Sequence, residues 1–178
     1  MTRTQNSKPE TRNCRQAGFT LIEMVVVVVI LAMVAMLVFP RLPSSEATNL
    51  RGSARNLAAA IRYLGDKSIT TKTAYRLKID LTDNTLAVSK AVNGEEVSDT
   101  DPFFSRRLLT EGVMIEDVLI PRLGKLSVGE VTVGFGPAGL EDFVTIHLKG
   151  TREGRFTVVA YPQNGKVKVL EGYQEVEQ

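Results

Sequence analysis

Apolar residues follow three patterns along this chain, one after another. From Phe19 to Phe39 they are almost continuous, interrupted only by Thr20 and Glu23. A run of this length can reach across the roughly 30 Å hydrocarbon layer of a membrane at about 1.5 Å per helical residue. We therefore predict a transmembrane helix over residues 19–40, ended or kinked by Pro40, which lacks a backbone donor.

After the prolines, apolar residues recur at steps of three and four. Ser44 or Ser45 followed by Glu46 suits a helix start, with the cap first and the acid in the first turn. The apolar stripe consists of Leu50, Ala54, Leu57, Ile61 and Leu64. The spacing predicts an amphipathic helix over residues 41–72. The cations off the stripe are interpreted as its solvated back: Arg51, Arg55, Arg62 and Lys67.

Beyond Thr70 the apolar period changes to two. Residues 75–81 alternate as a half-buried strand, and a return strand begins at Leu86 after a turn at residues 82–84. Residues 93–102 are polar and acidic, and we expect a loop there. Further strands are predicted over residues 113–120, 131–135, 143–148, 156–161 and 167–170, separated by the turns GPAG, GTREG and PQNG.

One long N-terminal helix followed only by strands implies an α+β fold. The helix, half transmembrane and half amphipathic, is expected to pack on an antiparallel β-sheet domain over residues 73–178.

Charge orients the apolar segment. Residues 1–18 carry four cations against one acid, Glu10, whereas the whole chain is only +2. The positive-inside tendency puts this leader in the cytoplasm and the polar domain across the membrane. The single cysteine, Cys14, lies in the leader, so the exported part can form no disulfide. A lipobox cysteine would follow the apolar run rather than precede it.

Glu23 is the residue that a plain membrane anchor leaves unexplained. A carboxylate in the middle of a bilayer costs about 2.5–3.5 kcal/mol, and less near the edge. A conventional signal peptide has a shorter apolar core and a small-residue cut site after it. A cut between Gly18 and Phe19 would instead create an α-ammonium on Phe19. That amine could pair with Glu23 within one helix, at i and i+4, or with Glu23 of a neighbouring subunit.

The order of cations, glycine, GFTLIE and apolar helix resembles the class III signal of type IV pilins and type II secretion pseudopilins. The resemblance implies that a prepilin peptidase cuts after Gly18 and methylates Phe19. It also implies that Glu23 is the acid of the motif and that Pro40 bends the helix.

A second, weaker resemblance lies in the β-rich part. Residues 135–139 form an F-x-P-x-G element and Asn164-Gly165 forms a turn before the final strand. With the early hairpin, they resemble the GspH/FimT group, the minor pseudopilin H and its pilus relatives. This implies a structural subunit at or near the tip of the periplasmic pseudopilus that supports protein export. The alternative is a FimT-like minor type IV pilin, active in pilus assembly or DNA uptake.

The same resemblance implies a location and partners. The chain would be a single-pass inner-membrane protein, held in membrane lipid, with its C-terminal domain in the periplasm. Its partners would be other minor and major pseudopilins, the prepilin peptidase and the inner-membrane secretion platform.

No catalytic or cofactor-binding set is recognisable, so neither an enzyme nor a metal or cofactor is expected. His147, the only histidine, is interpreted as a sheet-surface residue. The acids of residues 95–101 fit no calcium loop of known geometry, and a solvated loop is preferred. Nucleic acid is not an expected partner, because the exported part is near neutral. Its only candidate cations are Arg106, Arg107, Arg122 and Lys125.

Overall fold

The computed structural model describes residues 19–38, 45–105 and 107–176. The chain divides into two compact units, residues 1–42 and 43–178. Pro40 and Pro43, with the proposed kink, lie outside the described residues.

The first unit contains helix α1, Leu21–Val38. Its side chains from Leu21 to Leu37 are exposed almost all round, apolar on every side except at Glu23. Its 18 residues measure about 27 Å at about 1.5 Å per residue. Within the described parts of the chain, no helix is both long and apolar enough to cross a membrane. Helix α1 lies within the predicted segment 19–40, and the membrane span stays a prediction.

The second unit begins with helix α2, Ser45–Thr71, 27 residues long. It starts at a serine followed by an acid, as predicted, and its whole predicted stripe from Leu50 to Leu64 is buried. Arg51, Arg55 and Arg62 are exposed, as expected for a solvated back. Lys67 is not: its side chain is only 19% exposed.

The rest of the unit forms two antiparallel five-stranded sheets rather than the single sheet that was expected. Sheet 1 has the order β3-β2-β1-β6-β7 and sheet 2 the order β10-β9-β8-β4-β5. The strands of sheet 1 are β1 Tyr75–Asp80, β2 Thr85–Val92, β3 Glu95–Ser98, β6 Glu130–Gly136 and β7 Gly139–Leu140. Those of sheet 2 are β4 Met114–Ile120, β5 Gly124–Leu126, β8 Val144–Lys149, β9 Arg155–Ala160 and β10 Val167–Glu171.

The expected loop over residues 93–102 is wrong in part. Asn93 and Gly94 have φ angles of 54° and 88°, and they turn β2 directly into β3. Asn-Gly suits such a turn because both positions need positive φ. The short helix α3, Pro102–Ser105, follows. Strand β3 escaped the pattern because it is an exposed edge strand, where charges replace the apolar alternation.

A single core lies between α2 and the two sheets. Helix α2 packs against β6 and β7 of sheet 1 and against β8, β9 and β10 of sheet 2. The inward alternate residues of both sheets join it, among them Leu77, Phe135 and Ile146. Burial of these side chains, at about 25 cal/mol per Å² of apolar surface, is the main stabilising term.

Asn84 joins the two sheets at one end. Its Nδ2 donates to the Val113 carbonyl at 2.8 Å, and its Oδ1 accepts from the Ile115 N–H at 2.9 Å. The Asn84 side chain thus satisfies two backbone groups at the start of β4, as a neighbouring strand would. Its backbone has a φ of 53°, a conformation that asparagine tolerates better than most residues.

Candidate functional site

The start of α1 carries the residues that the N-terminal motif singles out. The Glu23 N–H donates to Thr20 Oγ1 at 3.3 Å, and the Met24 N–H donates to the Thr20 carbonyl at 3.2 Å. Thr20 is therefore the N-cap of the helix, and Thr20-x-x-Glu23 has the spacing of a capping box. The spacing of Thr20 and Glu23 in the sequence indicates this cap. Gly18, the predicted cleavage residue, lies outside the described residues.

Phe19 precedes the helix by two residues and is 79% exposed. Pairing at i and i+4 applies to two residues on one helix surface. It therefore does not describe Phe19 and Glu23 in this arrangement, which weakens the first of the two pairing alternatives.

Glu23 lies in the first turn of α1 with its side chain exposed. Residues 19–38 contain no lysine or arginine, so the helix itself supplies no cation. The positive end of the helix dipole stabilises a carboxylate there by about 0.3–1 kcal/mol. That is smaller than the cost of a charge at mid-bilayer, so a membrane-embedded Glu23 still needs a partner.

Glu46 ties the start of α2 to the turn between β8 and β9. Its Oε1 accepts the Arg152 N–H at 2.5 Å, and its Oε2 lies 3.5 Å from Arg152 Nε. The backbone hydrogen bond from Arg152 holds the pKa of Glu46 below its usual value. A Cβ added at Gly150 would lie 2.6 Å from Glu46 Oε1, so a larger residue at that position would displace the carboxylate.

Lys67 is the centre of a half-buried ion cluster, here called the Lys67 cluster, formed with Tyr63, Asp99 and Asp101. Its Nζ lies 2.7 Å from Asp99 Oδ2 and 2.7 Å from Asp101 Oδ2. The Tyr63 hydroxyl donates to Asp101 Oδ2 at 2.6 Å. The interpretation of Lys67 and these acids as solvated is therefore wrong, because the segment before α3 folds back onto α2.

The charges of the Lys67 cluster stabilise one another. Burial disfavours the charged form of Lys67, but the hydrogen bonds to Asp101 and Asp99 outweigh it and raise the pKa of the ammonium group. The Lys67 ammonium, the Tyr63 hydroxyl and the Phe103 N–H hold the pKa of Asp101 well below its usual range. In the described part of the chain, no group of three or more His, Cys, Asp or Glu residues is placed to hold a metal ion.

His147 was expected on the surface of the sheet, but it is buried, at 1% exposure. Its Nδ1 lies 2.6 Å from Asp117 Oδ1 and its Nε2 lies 3.1 Å from the Gln174 carbonyl. The Tyr173 ring stacks on the imidazole, with 3.8 Å between ring centroids. Strand alternation correctly put His147 on the face away from the core, but it did not reveal that the C-terminal residues cover that face.

The cations considered for nucleic-acid binding are dispersed. Arg122 Nε donates to Asp142 Oδ2 at 2.8 Å, and Lys125 contacts Tyr173 and Asp117. Arg107 lines a groove of about 640 Å³ beside the apolar side chains of β2, α3 and residues 108–114. Arg106 lies outside the described residues. Two of these cations thus already neutralise acids of the same domain.

Three comparisons with known proteins bear on this geometry. The family model of the prokaryotic N-terminal methylation motif matches residues 13–39. A comparison with characterised protein sequences finds no significant match. Among solved structures, the minor pseudopilin EpsH from the type 2 secretion system of Vibrio cholerae is similar. It has 17% sequence identity and a TM-score of 0.53, over 69% of this chain and 97% of that one.

These comparisons confirm the fold class and the resemblance to pilin-like proteins. The chain carries an N-terminal methylation motif and has the α+β fold of a pseudopilin, in which helix α2 packs on antiparallel sheets.

Proposed function

We propose that this chain is a minor pseudopilin of a type II secretion system, of the H type, with no enzymatic activity of its own. One coincidence carries the proposal: a methylation motif at residues 13–39 precedes a domain that has the fold of a minor pseudopilin. The two findings concern different parts of the chain, so each supports the assignment separately.

Processing would occur between Gly18 and Phe19. Phe19 is exposed and precedes the helix, which suits a peptide bond that a peptidase must reach in an extended form. The prepilin peptidase would cut there and methylate the new amine of Phe19. The Thr20 cap allows this, because α1 begins independently of the residues before Thr20.

The processed subunit would be stored in the inner membrane by its apolar segment. The apolar run from Phe19 to Phe39, interrupted only by Thr20 and Glu23, slightly exceeds the described helix at both ends. The domain after Pro43 would lie in the periplasm, where it contacts other minor and major pseudopilins at or near the tip of the pseudopilus. The secretion platform would lift the subunit from the membrane.

Glu23 would dock each subunit to its neighbour. Helix α1 supplies no cation, and the helix dipole offsets only part of the cost of burying the charge. The amine of Phe19 on an adjacent subunit lies at a similar depth and would provide the missing positive charge. Because assembly would supply that charge, the free-energy cost of Glu23 in the membrane would favour the assembled state.

Deletion and complementation test the proposal. In a strain that lacks this gene, we expect type II cargo to accumulate in the periplasm and the intact chain to restore its export. Normal export, combined with loss of DNA uptake or of pilus assembly, would contradict the secretion assignment and support the FimT-like alternative.

A further inference from the structure

The C-terminal residues 172–176, here called the tail, lie over the face of sheet 2 that points away from the core. The Gly172 N–H donates to the Arg155 carbonyl at 2.9 Å. Thr157 Oγ1 donates to the Gly172 carbonyl at 2.8 Å and accepts the Gln174 N–H at 3.0 Å. The tail is thus held mainly by polar bonds to strands β8, β9 and β4.

The surface beneath the tail is polar, although it is buried. The tail contacts Asp117, His147 and Thr157, and all three are at most 2% exposed. Burying such groups costs free energy that apolar side chains of similar size would not cost. A polar face under a few residues of tail is therefore a surface that tolerates exposure to water.

The hydrogen-bond geometry fixes where protons must lie when the tail is docked. His147 Nε2 faces the Gln174 carbonyl at 3.1 Å, and a carbonyl only accepts, so Nε2 carries a proton. Nδ1 and Asp117 Oδ1 lie 2.6 Å apart. Without a second proton between them, two lone pairs would face each other at that distance. The docked state therefore needs two protons on the His147–Asp117 pair.

After the loss of one proton, the imidazole of His147 carries a single proton, which can lie on Nδ1 or on Nε2. The carboxylate is the stronger acceptor because it is charged, so a neutral ring keeps its proton on Nδ1. The Nε2 lone pair then faces the Gln174 carbonyl and repels the tail. The Tyr173 hydroxyl donates to Asp117 Oδ2 at 3.2 Å, and this hydrogen bond need not break before the proton is lost.

The other charged groups around the pair are few. Lys125 of β5 lies 3.5 Å from Asp117 Oδ2 and donates to the Tyr173 hydroxyl. Arg155 of β9 is held by Glu116 of β4 at 2.9 Å. Lys125 contacts Oδ2 of Asp117, whereas His147 contacts Oδ1, so the ion pair of Lys125 and Asp117 persists whether or not His147 is protonated.

We propose that the tail is a proton-latched strap: the shared proton of His147 and Asp117 holds it on sheet 2, and loss of that proton releases it. Release uncovers the polar face of sheet 2. The domain thereby has a covered and an open form of one surface.

Hydrogen exchange of the full chain in detergent micelles tests the latch. Between about pH 5 and 9, below the range in which a tyrosine hydroxyl ionises, protection of the Gly172 and Gln174 amides is corrected for the intrinsic exchange rate. It should fall about tenfold on the alkaline side, as expected for the loss of one hydrogen bond. Amides of the β1–β2 hairpin serve as the internal reference and should keep their protection. Protection of the tail that stays constant across this range would overturn the proposal.

Asp117→Asn is the decisive variant. Its amide can donate Nδ2–H to His147 Nδ1 and accept the Tyr173 hydroxyl, so a neutral ring keeps Nε2–H on Gln174. We expect tail protection that does not depend on pH, whereas Arg122→Met, which removes a cation whose described partner is Asp142, should retain the wild-type dependence. A parallel loss in Asp117→Asn would refute the latch. If that variant misfolds, nitrogen NMR of His147 in the wild type decides: both ring nitrogens must be protonated while the tail is protected.

Discussion

Lys67→Met removes the cation of the Lys67 cluster and keeps an apolar side chain of similar length. The variant loses the two contacts of 2.7 Å to Asp99 and Asp101. Asp99 keeps only the more distant cation of Lys90, at 3.9 Å, and Asp101 keeps the neutral donors Tyr63 and Phe103. The side chains of these acids are only 5% and 17% exposed, so their charges are poorly solvated.

The expected loss follows from that burial. Removing one member of a buried ion pair costs about 3–5 kcal/mol, whereas an exposed pair contributes about 0–1 kcal/mol. The Lys67 cluster is near the buried limit but touches solvent, and we expect a loss of about 3 kcal/mol. For a domain of this size, that loss lowers the melting temperature by roughly 10 °C.

The assay is thermal and urea unfolding of residues 43–178, followed by circular dichroism. The matched control is Lys78→Met, because Lys78 lies 3.7 Å from Glu96 and from Glu130 and is 41% exposed. It should cost about 0.5 kcal/mol or less. Equal losses in the two variants would show that burial does not decide the strength of the Lys67 cluster.

The pH dependence gives a second check. The pKa of Asp101 is lowered in the folded protein, chiefly by Lys67. Its contribution to stability is therefore complete above its unfolded pKa of about 3.9 and is lost as the pH falls through the lower folded value. The gap between wild type and Lys67→Met should narrow below about pH 4. A gap that stays constant at acid pH would refute the electrostatic explanation.

Three further predictions concern processing, the exported domain and the turn beside α2. The intact mass of the mature protein should correspond to a chain that starts at Phe19 with one added methyl, and Gly18→Leu should leave the precursor uncut; a mature start beyond the apolar run would exclude a class III signal. The exported domain alone should be soluble and β-rich, and tight, salt-sensitive DNA binding would contradict the secretion assignment. Gly150→Ala should destabilise the domain by displacing the Glu46 carboxylate from the Arg152 N–H, whereas Gly52→Ala in α2 should stabilise it by up to about 1 kcal/mol; unfolding in urea distinguishes them.

Periodic segments could be predicted from the sequence because their pattern reports burial directly. The stripe of α2 and the alternation of β1 each place one face against the core, and both predictions are confirmed. Strands β3, β5 and β7 were missed because they lie at sheet edges and have only two to four residues each, too few to show an alternation. The division into two sheets depends on which strands pair, and alternation does not encode pairing.

Polar contacts between residues far apart in the chain could not be predicted from the sequence either. Lys67 meets acids 32 and 34 positions away, and His147 meets partners 27 and 30 positions away. Such pairs have no local period. A partial indication was present: His147 stands between Ile146 and Leu148, and Asp117 is followed by three apolar residues. A polar residue that such a strand buries needs a partner.

Glu23→Ala tests the assembly role of the carboxylate. The side chain is exposed and its carboxylate makes no contact that α1 needs apart from the helix dipole, so the variant should insert, be cut at Gly18 and fold. The Thr20 cap depends on the backbone N–H of residue 23 and survives the substitution. Entry into the fibre and cargo export should fall sharply, because the amine of Phe19 on the neighbouring subunit loses its partner.

Glu23→Gln separates charge from size, since it keeps the shape and removes the ion pair. Crosslinking to neighbouring pseudopilins and the amount of exported cargo are measured together, and both should fall in the glutamine variant as they do in the alanine variant. Restoration by glutamine would assign the role to hydrogen bonding rather than charge. Wild-type crosslinking and export in the alanine variant would show that the carboxylate does not dock the subunit. Uncut precursor in that variant would instead mean that the peptidase recognises Glu23, because export cannot be judged when cleavage fails.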